Sequence, residues 1–297
     1  MRHPFRRFAV TSFAAIVAVL LTGCSAPAAI TNGTATANRL SHIHALSIEP
    51  ASQNLSVATH EGIFQIAIAA NGTTGIVGPL GGLDFDPMGF TVRDGIAYAS
   101  GHPGPTTPAT FGSPNLGLIV STDGAQTWVN VSLTGETDFH SLAVLPPAEN
   151  SSEVRIFGVD PSTSGIQRSL DGGKTWTSGA DLVARDLAAT PGGLYATTED
   201  GLAVSTDNAG SFTVDPAAPA LLLVSADPIT GGLAGVDVAG SLWATDPGGQ
   251  WMQGAAVSGT PEAITVADGR LFVADDRGIT FTDDLGATWA EISSMSN

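Results

Sequence analysis

Ser169-Leu170-Asp171-Gly172-Gly173-Lys174-Thr175-Trp176 decides the fold, because the pattern it sets, S/T-x-D-x-G-x-T-W, returns along the chain. Thr282 to Trp289 repeats it, and three degraded copies run from Ser121 to Trp128, Ser205 to Phe212 and Ala244 to Trp251. The motif aspartates, read as Asp123, Asp171, Asp207, Asp246 and Asp283, are spaced 48, 36, 39 and 37 residues apart. A repeat of about 40 residues is the length of one propeller blade. The residue types suit a structural turn: Asp accepts turn amides, Gly permits positive φ, and Trp packs between neighbouring blades. These octapeptides therefore carry no chemistry.

The same strand signals precede each copy. In the fourth they are Asp186-Leu-Ala-Ala-Thr190, Gly193-Leu-Tyr-Ala-Thr-Thr198 and Gly201-Leu-Ala-Val-Ser205, separated by Pro-Gly-Gly and Glu-Asp-Gly turns. Each blade reads as a four-stranded meander, and six blades start near residues 43, 84, 139, 184, 220 and 261. The first has lost its octapeptide to Ala70-Asn-Gly-Thr-Thr74. A seventh blade would have to hide in the 48-residue interval, where only the loop-like stretch Pro146 to Ser152 is free. The expectation is an all-β, six-bladed propeller over residues 42 to 297.

The octapeptide resembles the Asp-box of sialidases, sortilin-type receptors and photosystem assembly factors, where it turns the chain between the third and fourth strands of a blade. At the level of the whole domain, His42-Ile-His-Ala-Leu46, Ala58-Thr-His-Glu-Gly-Ile-Phe64, Met88-Gly-Phe-Thr-Val92, Ala99-Ser-Gly-His-Pro103, Asp138-Phe-His140 and Gly158-Val-Asp-Pro-Ser-Thr-Ser-Gly165 resemble bacterial surface lipoproteins named F510-type glycosyl hydrolases or sialidase-like BNR-repeat proteins. That resemblance implies the propeller fold and a glycosidase label resting on the Asp-boxes.

The amino terminus fits a surface lipoprotein. Arg2, Arg6 and Arg7 form a positive head, and Phe8 to Leu21 an apolar stretch too short for a lasting membrane span, so residues 1 to 23 read as a signal peptide. Leu21-Thr22-Gly23-Cys24 resembles a lipobox, which makes Cys24, the only cysteine of the chain, the lipidation site. Residues 24 to 41 read as a small, polar tether. The expected location is extracytoplasmic, anchored to the bacterial cell membrane through the lipid.

Composition removes other classes. A single cysteine excludes a disulfide framework or zinc ribbon. With 28 acidic residues against 11 basic ones, the chain at formal charge −17 repels nucleic acid. Hydrophobic residues at 43% exclude disorder.

Function has to come from a site rather than from the fold. In a meander the start of the first strand and the loop between the second and third strands share one face. Aligning the innermost strands puts His44, Met88, His140, Arg185, Leu222 and Glu262 around the top of the funnel, with His42, His60 and His102 on the same face. All histidines beyond the signal therefore gather over the first three blades. Neutral imidazoles with a thioether point to a transition metal held by His42, His44, His60, Met88, His102 and His140. Met88 favours copper; if it only fills the core, zinc is equally suited.

A sialidase would need three arginines clamping the sugar carboxylate and a tyrosine nucleophile, yet only Arg185 aligns to the ring and the chain holds just Tyr98 and Tyr195. Another glycosidase could use two carboxylates flanking the bond, with Asp86, Asp138 and Glu262 as candidates. A third class is a non-catalytic propeller that binds or assembles an envelope protein. If Cys24 carries the lipid, Cys24→Ala should release the chain into the medium or leave it unprocessed, and detergent partitioning checks this.

Overall fold

The computed structural model describes residues 40–49, 53–69 and 72–294. The signal segment, Cys24, most of the tether and Ala70 with Asn71 lie outside them. Over the described residues the chain forms six four-stranded antiparallel sheets, each pairing its strands in sequence order. The first blade is β1 (Ile43–Glu49), β2 (Asn54–Thr59), β3 (Gly62–Ala69) and β4 (Gly72–Val77). The second is β5 (Asp86–Arg93), β6 (Ile96–His102), β7 (Leu118–Ser121) and β8 (Val129–Ser132), and the third β9 (Ser141–Leu145), β10 (Arg155–Val159), β11 (Ile166–Ser169) and β12 (Thr177–Ser178). The fourth is β13 (Leu187–Thr190), β14 (Gly193–Thr198), β15 (Gly201–Ser205) and β16 (Thr213–Val214). The fifth is β17 (Leu221–Ala226), β18 (Leu233–Asp237), β19 (Ser241–Thr245) and β20 (Trp251–Ala256), and the sixth β21 (Pro261–Ala267), β22 (Arg270–Asp275), β23 (Gly278–Thr282) and β24 (Ala290–Ser294). The innermost strands β1, β5, β9, β13, β17 and β21 each meet the next, and β21 meets β1, which closes the ring. The chain is an all-β, six-bladed propeller, as its repeat implies.

The folded unit begins earlier than residue 42. Leu40 is buried in the apolar cluster joining the first and sixth blades, and Ser41 donates its hydroxyl to Glu61. Both belong to the propeller rather than to a tether.

Each octapeptide turns the chain between the third and fourth strands of its blade. In the second blade the Ser121 hydroxyl donates to Asp123 at 2.8 Å and accepts the Ala125 amide, while Asp123 accepts the Thr127 amide at 2.9 Å and its hydroxyl at 2.6 Å. Asp171 and Asp207 repeat this set. The last copy centres on Asp284, not Asp283. The Thr282 hydroxyl reaches the carboxylate two residues on, at 2.8 Å, and Asp284 accepts the Thr288 amide and hydroxyl. Asp246 keeps only the amide bonds, from Gly248 and Gln250.

Apolar clusters fill the spaces between blades. One joins Tyr98 and Leu118 of the second blade to Phe139, Leu142, Val144 and Ile156 of the third, with Trp176 packed against it. The Trp176 ring lies 4.7 Å from Phe139, and its indole N–H donates to the Ser132 hydroxyl across the blade boundary at 2.9 Å. Trp128 is buried edge-on against Phe85, and Phe212 and Trp251 pack on the next clusters, whereas Trp289 is 36% exposed and contributes least.

The innermost strands have one sheet neighbour each, so their inner amides need other acceptors. Ser47 accepts the Val92 amide, Ser141 the Leu187 amide and Ser225 the Val266 amide, each hydroxyl belonging to the preceding blade. Four of these strands also carry a bulge at their head. The register slips between Ile43 and Ala45, Pro87 and Gly89, Leu221 and Leu223, and Pro261 and Ala263. The unpaired residues are His44, Met88, Leu222 and Glu262, the same positions the sequence alignment puts in the ring. The fourth blade departs from that alignment: Arg185 pairs through its amide with Thr197, Leu187 pairs with Ala196, and the extra residue is Asp186. Arg185 is exposed, while Asp186 staples the blades by accepting the Val224 and Leu187 amides and the Ser141 hydroxyl. Burial pushes its carboxyl up.

Trp176→Ala should cost about 3 kcal/mol, since it removes a large interblade side chain and leaves a cavity. Denaturant unfolding measures this. The turn hydroxyls of Thr127, Thr175 and Ser211, with the adjacent amides, pull Asp123, Asp171 and Asp207 down to about 2 from an ordinary 3.8. Between those values the unfolded chain binds protons that the folded turns refuse, so stability should fall as pH drops through that window. Asp171→Asn should lower stability at neutral pH and make the acid loss shallower, as unfolding curves from pH 6 downward would show.

Candidate metal centre at the funnel mouth

The ring closes around a central cavity of about 840 Å³, lined by the innermost strands and, at its mouth, by His44, Met88, His140 and Glu262. Bulges free a side chain from the alternation of its strand, and at β1 the freed side chain is His44. The first-blade loop is pinned independently. Glu61 accepts the Ser41 hydroxyl and the Thr59 hydroxyl, the latter at 3.2 Å, which fixes the turn carrying His60. Glu262 accepts the Ile43 amide at 3.0 Å and so ties the head of β1 to the sixth blade.

These constraints bring three groups together. His44 Nε2 lies 3.1 Å from Asp86 Oδ1, His60 Nδ1 lies 2.9 Å from Asp86 Oδ2, and the two nitrogens are 3.2 Å apart. Among the described residues, no other trio of His, Cys, Asp or Glu brings its ligand atoms within 4.8 Å of one another. Asp86 can accept a proton from both rings, one at each oxygen, but the two protonated nitrogens then face each other at 3.2 Å with no hydrogen bond between them. Asp86 Oδ1 is buried and makes no well-aligned hydrogen bond, although His44 Nε2 stands 3.1 Å from it. A cation resolves all three contacts at once, because bonds of about 2.1 Å at cis positions put ligand atoms about 3 Å apart. Burial pushes the Asp86 carboxyl up, but its bonds to His44 and His60 and their charge outweigh this and hold it below the ordinary value.

The second histidine pair forms a different object. His140 Nε2 lies 2.8 Å and His102 Nε2 3.1 Å from the same atom, Asp138 Oδ2. The two rings flank that oxygen too far apart to share a coordination sphere by the 4.8 Å measure. His102 Nδ1 lies 3.3 Å from the Pro114 carbonyl, in the long connection between β6 and β7. The bond to Asp138 raises the His140 pKa against an opposing burial effect, with further help from the charges of Asp138, Asp160 and Asp86.

The six expected ligands therefore divide. His44 and His60 converge with Asp86; His102 and His140 converge on Asp138. The His42 ring lies 5.1 Å from that of His60 and is tilted 58° to it, with its backbone held at φ 44°, and offers no atom to the triangle. Met88 lines the same cavity as His44. Of the expected catalytic carboxylates, Asp86 and Asp138 are occupied by imidazoles and Glu262 by a backbone amide. Tyr98 is buried between blades and Tyr195 packs on an apolar cluster, so neither is placed as a nucleophile in the funnel. The sequence reading missed the roles of Ser41, Glu61 and the Pro114 carbonyl. The only signal for Asp86 and Asp138 as partners was their shared offset, two residues before Met88 and His140.

Gly101 makes the joint between the two clusters. Its φ is 147°, and a Cβ there would sit 1.9 Å from the Asp86 carbonyl oxygen, so only glycine allows His102 to pair opposite Asp86 in the β5–β6 ladder.

No protein-family model matches the chain, and no curated protein matches it. Among solved structures, it is similar to the propeller in a nidogen/laminin complex at 15% identity and a TM-score of 0.61, over 82% of this chain and 93% of that one. It is also similar to a gluconolactonase of Xanthomonas campestris at 16% identity and a TM-score of 0.54, over 80% and 84%. A GH74 enzyme of Niastella koreensis aligns at 16% identity and a TM-score of 0.49, over 84% of this chain and 46% of that one. The first two likenesses show the propeller fold.

Gly101→Ala should destabilise the chain by more than about 1 kcal/mol, because an L side chain is forced into a positive φ and against backbone. Thermal unfolding, with the histidine ring resonances as a local readout, should show the loss centred on the second blade.

Proposed function

We propose that the chain is a lipid-anchored, extracytoplasmic propeller that holds one divalent transition cation on His44, His60 and Asp86. The observation that supports this best is the triangle of mutually close ligand atoms on His44, His60 and Asp86. Two imidazole nitrogens and one carboxylate oxygen form a borderline donor set suited to zinc or ferrous iron, and copper is favoured over them only where the Met88 sulfur joins the three. His42, its ring tilted against that of His60 at 5.1 Å, orients that ligand from outside the coordination sphere. The glycosidase alternative loses support because its candidate carboxylates already have partners.

The whole chain in detergent, stripped with a chelator and titrated with zinc or cobalt(II), tests the reading. One ion per chain should bind, and His44→Ala, His60→Ala or Asp86→Ala should each weaken binding by more than the 10- to 100-fold typical of outer-sphere changes, with His42→Ala inside that range. Affinity should fall on acidification, because protons compete for the imidazoles. Unchanged stoichiometry and affinity in the three ligand variants would overturn the assignment.

A further inference from the structure

The two histidine clusters are copies of one repeat-derived contact that have diverged. In each, the histidine at the end of the second strand of one blade reaches the aspartate that lies two residues before the ring position of the next: His60, just past β2, meets Asp86 at 2.9 Å, and His102, the last residue of β6, meets Asp138 at 3.1 Å. The third member differs. The first copy takes its third group, His44, from the same blade as His60 and closes a corner. The second takes His140 from the following blade, on the far side of Asp138 Oδ2, and makes a line of imidazole, carboxylate and imidazole.

That line has the features of a proton acceptor. Asp138 is 8% exposed, with Oδ1 buried and lacking a hydrogen-bond partner. Its Oδ2 holds His140 Nε2 at 2.8 Å, which fixes that nitrogen as the donor and leaves Nδ1 as the basic one. His140 lines the same cavity as His44 and Met88. Charges of Asp138, Asp160 and Asp86 all act on the ring, and His102 lies across Asp138 from it. A carboxylate holding the far nitrogen of an imidazole is the arrangement by which a general base keeps its tautomer and orientation.

We propose that the funnel mouth hydrolyses uncharged carboxylic esters, lactones included, with His140 Nδ1 as the base that deprotonates the attacking water and Asp138 and His102 as positioning residues. The proposal rests on the cation reading in one respect: a cation held by His44, which lines the same cavity as His140, would supply Lewis acidity to that cavity. The water proton passes to Nδ1 as its oxygen bonds to the carbonyl carbon. The bond from that carbon to the alkoxy oxygen then breaks, and the leaving oxygen takes the proton back from the imidazolium. The carboxylic acid product loses its proton to solvent. The substrate class follows from size and charge. A cavity of about 840 Å³ holds a small molecule, and its wall mixes apolar Leu46, Phe90 and Val92 with Ser47, Thr91 and Ser225, which suits a polar, uncharged ester or lactone. Anionic esters are disfavoured by a chain of formal charge −17 whose cavity sets Glu49, Asp94, Asp186 and Glu262 against only Arg93 and Arg185.

The test uses the whole chain in detergent, loaded with zinc, and three probes: p-nitrophenyl acetate, δ-valerolactone and p-nitrophenyl phosphate. The two acyl compounds should be hydrolysed and the phosphate left intact. His140→Gln should lower kcat for both acyl probes by about 10²- to 10⁴-fold with KM little changed, while zinc affinity stays at the wild-type value. Asp138→Asn should lower kcat about as far and should shift the His140 ring titration in NMR to lower pH, a readout that needs no turnover. A zinc-loaded chain that hydrolyses neither acyl probe, or a His140→Gln variant with wild-type kcat, overturns this inference and leaves the cation site standing. Loss of zinc binding in His44→Ala without loss of hydrolysis would separate the two the other way, showing that the base works without the cation and that its Lewis acidity is no part of the reaction.

Discussion

Every blade of this ring has an inner edge that must be closed by something other than a sheet partner. β1, β5, β9, β13, β17 and β21 pair on one side only, and an unpaired buried amide costs about as much as a lost hydrogen bond. The chain answers with short side chains reaching from the preceding blade: Ser47, Ser141, Ser225, Asp186 and Glu262 each accept an amide across a boundary. This stitching holds the innermost strands in register with one another, which in turn fixes where the bulged residues at their heads emerge. The site depends on it directly. The head of β1 is held by Glu262 from the sixth blade, and the strand carrying Asp86 is held by Ser47 of the first.

The funnel mouth shows how a repeat can produce unlike sites. The contact between a histidine at the end of the second strand and the aspartate of the next blade occurs twice, yet one copy closes into a corner of nitrogens and oxygen and the other opens into a line through a carboxylate. What separates them is the blade that supplies the third imidazole. At the first position the ring residue of the following blade is Met88, which cannot accept or donate a proton there, so the third group comes from the same blade. At the second it is His140.

Much of this was legible in the chain because it depends on local chemistry. The octapeptide declares its turn through a hydroxyl, a carboxylate and a second hydroxyl at fixed offsets, and those offsets are what the hydrogen bonds use. The last copy shows the limit of the eye: in Thr282-Asp283-Asp284 two aspartates adjoin, and only the hydroxyl two residues before Asp284 tells which one accepts. The ring positions His44, Met88, Leu222 and Glu262 could be aligned because hydrophobic alternation resumes after each bulge. Arg185 was mistaken for Asp186 because a bulge adds a residue without changing the pattern that follows it. The division of the histidines was not legible, since it turns on which side of an oxygen a ring stands, and sequence carries no such angle. The carboxylates were visible as acids but not as partners, for the same reason.

The central claim is that His44, His60 and Asp86 form one coordination corner at the mouth of the funnel. Crystals of the zinc-loaded chain, with diffraction recorded on both sides of the zinc absorption edge, test it most directly. The account predicts a single anomalous peak about 2.0 to 2.2 Å from His44 Nε2, His60 Nδ1 and a carboxylate oxygen of Asp86. A peak centred instead on Asp138 between His102 and His140, or an unoccupied triangle at saturating zinc, would contradict it.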